Sequence, residues 1–194
     1  LLGPSGCGKT TLLKAIAGFI RPTEGTITCD GRPVRGPGRE RGVVFQELAI
    51  LPWRTVRRNI GHGLEIAGVS RAERDATVAR LIALTGLAGF EERYPHELSG
   101  GMKQRVAVAR TLINGPRVVL MDEPFGALDP ITRDKAQTDL LDIQRRFGTT
   151  VVIVTHDMDE AFRLGDRVAV MRGGRLLQYD RPGELLTRPA DPFV

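Results

Sequence analysis

A short glycine-rich segment at the start of the chain constrains its fold more than any other stretch. Gly3, Gly8, Lys9 and Thr10 match the pattern G-x-x-x-x-G-K-[ST], in which backbone N–H groups form a nest for phosphate oxygens. The pattern requires a strand before the loop and a helix after it, and the helix N-terminus also attracts the anion. The helical spacing of residues 11–17 predicts that helix. A chance glycine-rich turn is the alternative, and two leucines are too few to establish the strand.

Composition places the chain among ordinary globular proteins. It has 194 residues, 41% of them hydrophobic and 26% charged, and no apolar run approaches the roughly 18 residues of a membrane span. The net charge of +5 fits phosphate ligands or nucleic acid, but the arginines are scattered, which favours solvated surfaces. Cys7 and Cys29 fit no metal-ligand spacing. We therefore expect neither a membrane-spanning protein nor a zinc or disulfide scaffold.

Apolar strand-like segments alternate with helical segments along the chain, which predicts an α/β fold with a mostly parallel sheet. The predicted strands are residues 42–45, 118–121 and 149–154. The predicted helices are residues 55–68, 70–86, 102–113 and 131–147, with a short one near residue 182. Hairpins are predicted around Asp30-Gly31 and Gly173-Gly174. Residues 50–115 read as a helical subdomain inserted into a core formed by residues 1–49 and 116–194.

Polar side chains follow the predicted strands, where ligands bind in open α/β sheets. Asp122 can hold the Mg²⁺ that bridges nucleotide phosphates, and Glu123 can polarise an attacking water. Gln46 and His156 also lie at strand ends, close to the expected γ-phosphate. The alternative for the acidic pair is a simple cap on the next turn. His62 and His96 are expected to be structural.

A second potential anion nest precedes the helix predicted at residue 102. The Ser99 hydroxyl and the N–H groups of Gly100 and Gly101 would open that helix at its electropositive end. Two phosphate nests in one chain suggest a dimer in which each subunit completes the site of the other.

Together these motifs resemble those of ATP-binding cassette (ABC) transporter ATPases. The resemblance rests on six segments in family order, which are residues 3–10 (Walker A), Gln46 (Q-loop), 98–104 (signature), 118–123 (Walker B), 127–129 (D-loop) and His156 (H-loop). It implies a P-loop NTPase, RecA-like core, an inserted helical subdomain, and ATP and Mg²⁺ as ligands. Part of the N-terminal antiparallel β-subdomain, with the aromatic residue that stacks on adenine, is expected upstream of Leu1.

The resemblance also implies a role for each motif residue. Glu123 would be the general base, His156 and Lys9 would stabilise the γ-phosphate, and Thr10, Gln46 and Asp122 would serve Mg²⁺. The phosphate cradle would consist of Gly3, Ser5, Gly6, Cys7, Gly8, Lys9, Thr10 and Thr11. Ser99, Gly100 and Gly101 would reach the nucleotide of a second subunit, and Asp129 would couple the two sites.

The partners implied are a second ATPase subunit in a head-to-tail dimer, expected to be a homodimer, and transmembrane permease subunits. A substrate-binding protein would act indirectly, and no nucleic acid is expected. Such a protein would bind to the permease at the cytoplasmic face of the cell membrane. A nucleotide-gated module of DNA repair and a cassette that binds without hydrolysing are the alternatives, and the absence of coiled coils and the presence of Glu123 and His156 disfavour them.

The sequence resembles two importer subfamilies, which transport different solutes. Residues 93–98, 129–133, 155–161 and 178–194 resemble quaternary amine (glycine betaine, choline or carnitine) transport ATPases. Residues 51–56, Leu-Pro-Trp-Arg-Thr-Val, resemble nitrate, sulfonate and taurine ATPases. More of the chain favours a quaternary amine osmoprotectant, which is the preferred prediction. Trp53 is either an anchor for the permease or a partly buried core residue.

Overall fold

The computed structural model describes residues 1–194. The helices are α1 (Lys9–Ala17), α2 (Val56–Ile60), α3 (His62–Ile66), α4 (Arg71–Leu84), α5 (Gly100–Leu112), α6 (Pro130–Phe147), α7 (Met158–Leu164) and α8 (Pro182–Thr187), with a 3-10 turn at Pro95–Glu97. The strands are β1 (Thr28–Cys29), β2 (Arg32–Pro33), β3 (Arg41–Val44), β4 (Val118–Asp122), β5 (Thr150–Val154), β6 (Val168–Arg172) and β7 (Arg175–Asp180). Every predicted strand and hairpin is present.

The chain divides into two compact units. The first unit consists of Leu1–Gly38, Leu120–Glu123 and Val152–Val194, and the second of Arg39–Val119 and Pro124–Val151. The boundaries between them fall inside β4 and β5. The predicted inserted helical subdomain, residues 50–115, stays a prediction.

A three-stranded parallel sheet with the order β3-β4-β5 confirms the predicted α/β class. In β4, Val119, Leu120 and Met121 are all buried. A continuous apolar run of this kind is typical of a strand covered on both faces. The polar residues that follow it therefore lie at the carboxyl end of a buried strand.

In the first unit, Leu2 supplies the strand pairing that the phosphate-loop pattern requires. It forms parallel bridges with Thr155 and Val170, and its amide donates to the carbonyl of Ala169 at 2.8 Å. A small apolar core surrounds it, which consists of Leu2, Ala161, Val168, Val170 and Leu185. The backbone before the loop is thus fixed on both sides.

The two predicted hairpins of the first unit are antiparallel. In the first, Thr28 pairs with Pro33, and the turn residues Asp30 and Gly31 have φ values of 51° and 74°. Positive φ at both central positions is the backbone of a tight type I′ turn. In the second, β6 pairs with β7 and has a bulge between Val170 and Met171.

The predicted helix after the phosphate loop is present as α1, and its apolar residues are not all buried. Leu13 is buried, but Leu12 is 37% exposed. The helix ends at Gly18, which adopts the left-handed conformation with φ of 84°. That conformation is the usual helix stop for glycine.

In the second unit, α4 and α5 each have a buried apolar face. The buried residues are Val78, Leu81 and Ile82 of α4, and Val106, Ala109, Leu112 and Ile113 at α5. The Ser70 hydroxyl accepts from the amide of Glu73 at 3.4 Å and so caps α4. Leu84 is only half-buried.

The helix predicted over residues 55–68 is two short helices, α2 and α3. They meet at Gly61, where an added Cβ would lie 3.3 Å from the carbonyl of Arg57 and 3.2 Å from Val78. The close approach to α4 and the missing side chain at this position account for the break. In the whole chain, no helix is long and apolar enough to cross a membrane.

Candidate nucleotide-binding site

The first unit contains the predicted phosphate loop, between Leu2 and α1. Lys9 is 5% exposed, and its ammonium donates to the carbonyls of Gly3 at 2.7 Å and Pro4 at 2.9 Å. Its Nζ also lies 3.8 Å from the Sγ of Cys7. The first-turn amides of α1 have no carbonyl partner within the helix. The loop therefore combines a buried cation with free N–H donors at a helix N-terminus, which is the chemistry that phosphate requires.

Gly3 is fixed by a close backbone approach. A Cβ at this position would lie 2.2 Å from the carbonyl oxygen of Met171 and 2.9 Å from the Sγ of Cys7. No side chain fits in that space, so only glycine allows the loop to pass β6. A hydrogen bond from the amide of Gly174, in the turn between β6 and β7, to the carbonyl of Cys7 at 3.1 Å also joins the phosphate loop to this hairpin.

Thr10 and Asp122 lie together in the first unit. The Thr10 hydroxyl donates to Oδ1 of Asp122 at 3.1 Å, which joins the first turn of α1 to the end of β4. Both are hard oxygen ligands, which suit Mg²⁺. The chain has no group of three or more His, Cys, Asp or Glu side chains that could hold a metal ion. A pair of oxygens fits Mg²⁺ nonetheless, because this ion keeps few protein ligands and takes the others from phosphates and water.

Glu123 and His156 form a second pair in the first unit. Nδ1 of His156 lies 3.2 Å from Oε1 of Glu123, and with an ionised carboxylate Nδ1 carries the proton and donates. Glu123 has a φ of 43°, and its amide donates to the carbonyl of Val154 at 2.9 Å. Left-handed backbone at a non-glycine residue is uncommon and clusters at functional sites. The strained backbone directs the carboxyl group toward the imidazole.

The signature segment lies in the second unit, at the start of α5. The Ser99 hydroxyl accepts from the amide of Met102 at 3.3 Å, so α5 begins at Gly100, two residues earlier than predicted. Added Cβ atoms at Gly100 and Gly101 would lie 3.0 Å from Leu128 and 3.1 Å from Thr132. The two glycines therefore allow α5 to pack closely against the segment that precedes and opens α6.

Asp129 lies within that segment and caps α6. Its carboxylate accepts from the amide of Thr132 at 3.1 Å. Hydrogen bonds from the Thr132 side chain and backbone hold the pKa of Asp129 below its ordinary value. Signature residues and the predicted D-loop aspartate thus lie next to each other in the second unit.

Gln46 also lies in the second unit, two residues after β3, with an exposed side chain. Trp53 follows it by seven residues and is 71% exposed, which excludes the alternative that it is a partly buried core residue. Sequence reasoning missed Asn59 and Arg110, whose side chains bind the backbone between Leu48 and Thr55. No sequence pattern distinguished Asn59, which directly follows Arg57 and Arg58.

A phosphate loop, an oxygen pair beside it and a carboxylate at the end of a buried strand define a P-loop nucleotide-binding protein. The model of the ABC transporter family matches residues 1–126. The chain belongs to this family, as an ATP-binding subunit, and proteins of this class are ATPases. The predicted family, fold and enzyme class are confirmed.

Several relatives share about half of the sequence. An uncharacterized ABC transporter ATP-binding protein of Methanocaldococcus jannaschii is 52% identical over 193 residues, which cover 98% of this chain and 72% of the relative. The taurine import ATP-binding protein TauB of Pseudomonas entomophila is 55% identical over 170 residues, which cover 88% and 66%. The chain thus spans about two thirds of the length of this second relative. The solved structure of cbiO1 from Clostridium perfringens, part of the ABC transporter complex cbiONQ, has a TM-score of 0.89 at 29% identity and covers 97% of this chain and 78% of that one.

The preferred prediction of a quaternary amine transporter is not supported by these relatives. Those whose names include a solute are named for taurine. They favour the stated alternative, to which Leu-Pro-Trp-Arg-Thr-Val at residues 51–56 pointed. The osmoprotectant assignment is therefore withdrawn.

Proposed function

We propose that this chain is the ATP-hydrolysing subunit of an importer for taurine or a related sulfonate. The hydrolytic part of the proposal rests on the pair of Glu123 and His156, 3.2 Å apart at the ends of neighbouring strands. The assignment of the solute rests on the sequence identity of 48–55% to taurine import proteins. The subunit works at the cytoplasmic face of the membrane, bound to its permease.

In this proposal Glu123 is the general base. Its carboxylate accepts a proton from the attacking water, and the imidazole of His156 keeps the carboxylate oriented while it stabilises the γ-phosphate. The pair is only partly buried, with side-chain exposures of 26% for Glu123 and 59% for His156. Both side chains are therefore accessible to a nucleotide and a water that approach from solvent.

Phosphate binding belongs to the loop residues. Lys9 moves one or more of its N–H donors from the carbonyls of Gly3 and Pro4 to phosphate oxygens, which strengthens them because the acceptor is charged. Thr10 and Asp122 would hold Mg²⁺, which would neutralise negative charge on the nucleotide phosphates. The prediction that Gln46 also serves this ion stays a prediction. The cradle itself consists of Gly3, Ser5, Gly6, Cys7, Gly8, Lys9, Thr10 and Thr11.

The second anion nest serves a second copy of the chain. Ser99, Gly100 and Gly101 open α5, whose N-terminus favours negative charge, and we assign this nest to the γ-phosphate held by the partner in a head-to-tail dimer. Leu128 and Thr132, which lie close to Gly100 and Gly101, bring Asp129 next to this nest. We assign to Asp129 the coupling of the two sites. Each nucleotide then requires residues from both subunits.

A charge change at Ser99 tests this arrangement without removing the helix cap. Aspartate is as good an N-cap as serine, so Ser99→Asp should keep α5 folded while its carboxylate repels the partner's γ-phosphate. We expect ATP hydrolysis to fall at least about tenfold, since like charges in contact cost on the order of a kilocalorie per mole or more. Ser99→Asn, a neutral cap, is the matched control and should retain most of the activity.

Mixing variants shows whether the nests act across subunits. In a mixed dimer of Ser99→Asp with inactive Glu123→Gln, one site has both defects and the other has neither. Activity should therefore reappear on mixing two nearly inactive proteins. If the mixture stays as inactive as its components, although both variants bind ATP and melt normally, the shared-site proposal is wrong.

Permease contact is assigned to the segment that carries Trp53. An exposed tryptophan is an effective interface anchor, and Trp53 is 71% exposed with the unpaired, exposed Arg58 nearby in sequence. This part of the chain also carries the resemblance to nitrate, sulfonate and taurine ATPases. The substrate-binding protein would act on the permease and not on this chain.

A further inference from the structure

The hairpin of β6 and β7 holds the phosphate loop at both of its ends. Before the loop, the amide of Leu2 donates to the carbonyl of Ala169 at 2.8 Å, and its carbonyl accepts from the amide of Met171 at 2.8 Å. After the loop, the carbonyl of Cys7 accepts from the amide of Gly174, in the hairpin turn, at 3.1 Å. All of these residues belong to the first unit. The shape of the loop therefore depends on a hairpin from the far end of the chain.

The hydrogen bond at Cys7 fixes the direction of a peptide group. In a trans peptide, the C=O of one residue and the N–H of the next point in opposite directions. Because the Cys7 carbonyl faces Gly174, the N–H of Gly8 points away from the hairpin. That amide has no hydrogen-bond partner in the chain, and Gly8 is the residue that precedes α1. The Gly8 amide is therefore a free donor at the start of the helix, where it can donate to a phosphate oxygen.

The turn that supplies this hydrogen bond requires left-handed backbone. Gly173 and Gly174 have φ values of 54° and 77°, as in a two-residue type I′ turn. A Cβ added at Gly174 would meet no atom within 4 Å, so a larger residue there would strain the backbone without a steric clash. Backbone strain favours other turn shapes, in which the Gly174 amide no longer faces Cys7.

We propose that Gly174 is a positioning residue for phosphate binding, because its amide keeps the N–H of Gly8 directed at the nucleotide phosphates. The hairpin then gives the loop its anion-binding shape before the nucleotide arrives. Preorganisation of this kind raises affinity, because a site that is only partly in the competent form binds more weakly by that fraction. The inference rests on the proposed binding of nucleotide by the loop.

The other two-residue hairpin of the first unit provides a matched control. Its turn residue Gly31 has a φ of 74°, against 77° for Gly174, and an added Cβ there also meets no atom within 4 Å. The amide of Gly31 donates to no residue of the phosphate loop. Valine at either position therefore introduces the same kind of backbone strain, and only Gly174 is bonded to the loop.

The affinities for ATP and for inorganic triphosphate, both with Mg²⁺, test the proposal when measured by calorimetry on the full-length protein. Gly174→Val should weaken both by the same factor, about five- to thirtyfold, which is the population cost of left-handed backbone for an L-residue. Gly31→Val should lose similar thermal stability but bind both ligands like the unmodified chain. Gly174→Asn should bind nearly normally, because asparagine tolerates left-handed backbone.

Gly174→Ala strains the turn less than valine and should lose affinity in the same direction, so it replaces Gly174→Val if that protein does not fold. The proposal is overturned if these variants bind as tightly as the unmodified chain, or if Gly31→Val weakens binding equally. It is also overturned if ATP and triphosphate respond by different factors, or if Gly174→Asn binds no better than Gly174→Val. Failure of the proposed function appears separately, as an unmodified chain that binds neither ligand.

Discussion

Replacing Glu123 with glutamine should stop ATP turnover and leave ATP binding intact. The amide has the shape of the carboxylate but cannot take a proton from water, and a general base contributes about 10²–10⁴-fold to rate. We therefore expect kcat to fall by that factor. Nδ1 of His156 lies 3.2 Å from the Glu123 side chain and can still donate to the oxygen of the glutamine amide. The local fold should therefore persist. Single-turnover hydrolysis with radiolabelled ATP measures the loss.

The matched control for this substitution is Asp166→Asn, an exposed acid in the same unit. It removes one negative charge outside the phosphate loop and outside the pair of Glu123 and His156, and it should hydrolyse ATP at the rate of the unmodified chain. Turnover by Glu123→Gln at an undiminished rate would remove Glu123 from the chemistry.

Lys9→Ala should weaken nucleotide binding as well as hydrolysis. The substitution removes a 5% exposed ammonium that donates to Gly3 and Pro4. A hydrogen bond to a charged group is worth about 1.5–3 kcal/mol, so ATP affinity should fall roughly ten- to a hundredfold. Loss of a donor to transition-state charge should lower kcat by a further 10²–10³-fold or so. Calorimetric titration with ATP and Mg²⁺ gives the affinity.

Lys14 provides the comparison for Lys9. It lies on the same helix, α1, with an exposed side chain, so Lys14→Ala makes the same charge change away from the loop. It should bind ATP normally. Equal effects at both positions would mean that net charge, and not the position of the Lys9 ammonium, governs binding.

Local sequence patterns predicted most of the fold because they act over short distances. Ser70, Asp30-Gly31 and the apolar run before Asp122 each determine their own helix start, turn or strand. The break at Gly61 depends instead on contact with Val78 of α4, and the exposure of Leu12 on what packs against α1. Neither is encoded in the spacing of nearby residues.

The candidate site was predicted as a set of residues, and its geometry needed the fold. Motif spacing indicated Thr10, Asp122, Glu123 and His156 but not which pairs would meet. Their contacts join residues 112 and 33 positions apart. Arg110 and Asn59 were missed because an arginine on a helix and an asparagine that follows two arginines have no distinctive pattern until their acceptors are known.

The solute prediction shows a different limit. Residues shared with quaternary amine ATPases are more numerous, yet relatives at 48–55% identity are taurine import proteins. Those shared residues lie outside the stretch around Trp53, and most of them are exposed. The few residues around Trp53, which we assign to the permease, are better placed to differ between transporters.

The central claim is tested most directly by solute-stimulated ATP hydrolysis in the assembled transporter. The full-length subunit, its permease and its substrate-binding protein would be reconstituted in proteoliposomes, and taurine compared with glycine betaine and choline, with Glu123→Gln as the blank. Our account predicts that taurine or a related sulfonate raises the hydrolysis rate above its basal value and that the quaternary amines do not. Stimulation by glycine betaine or choline alone would contradict it.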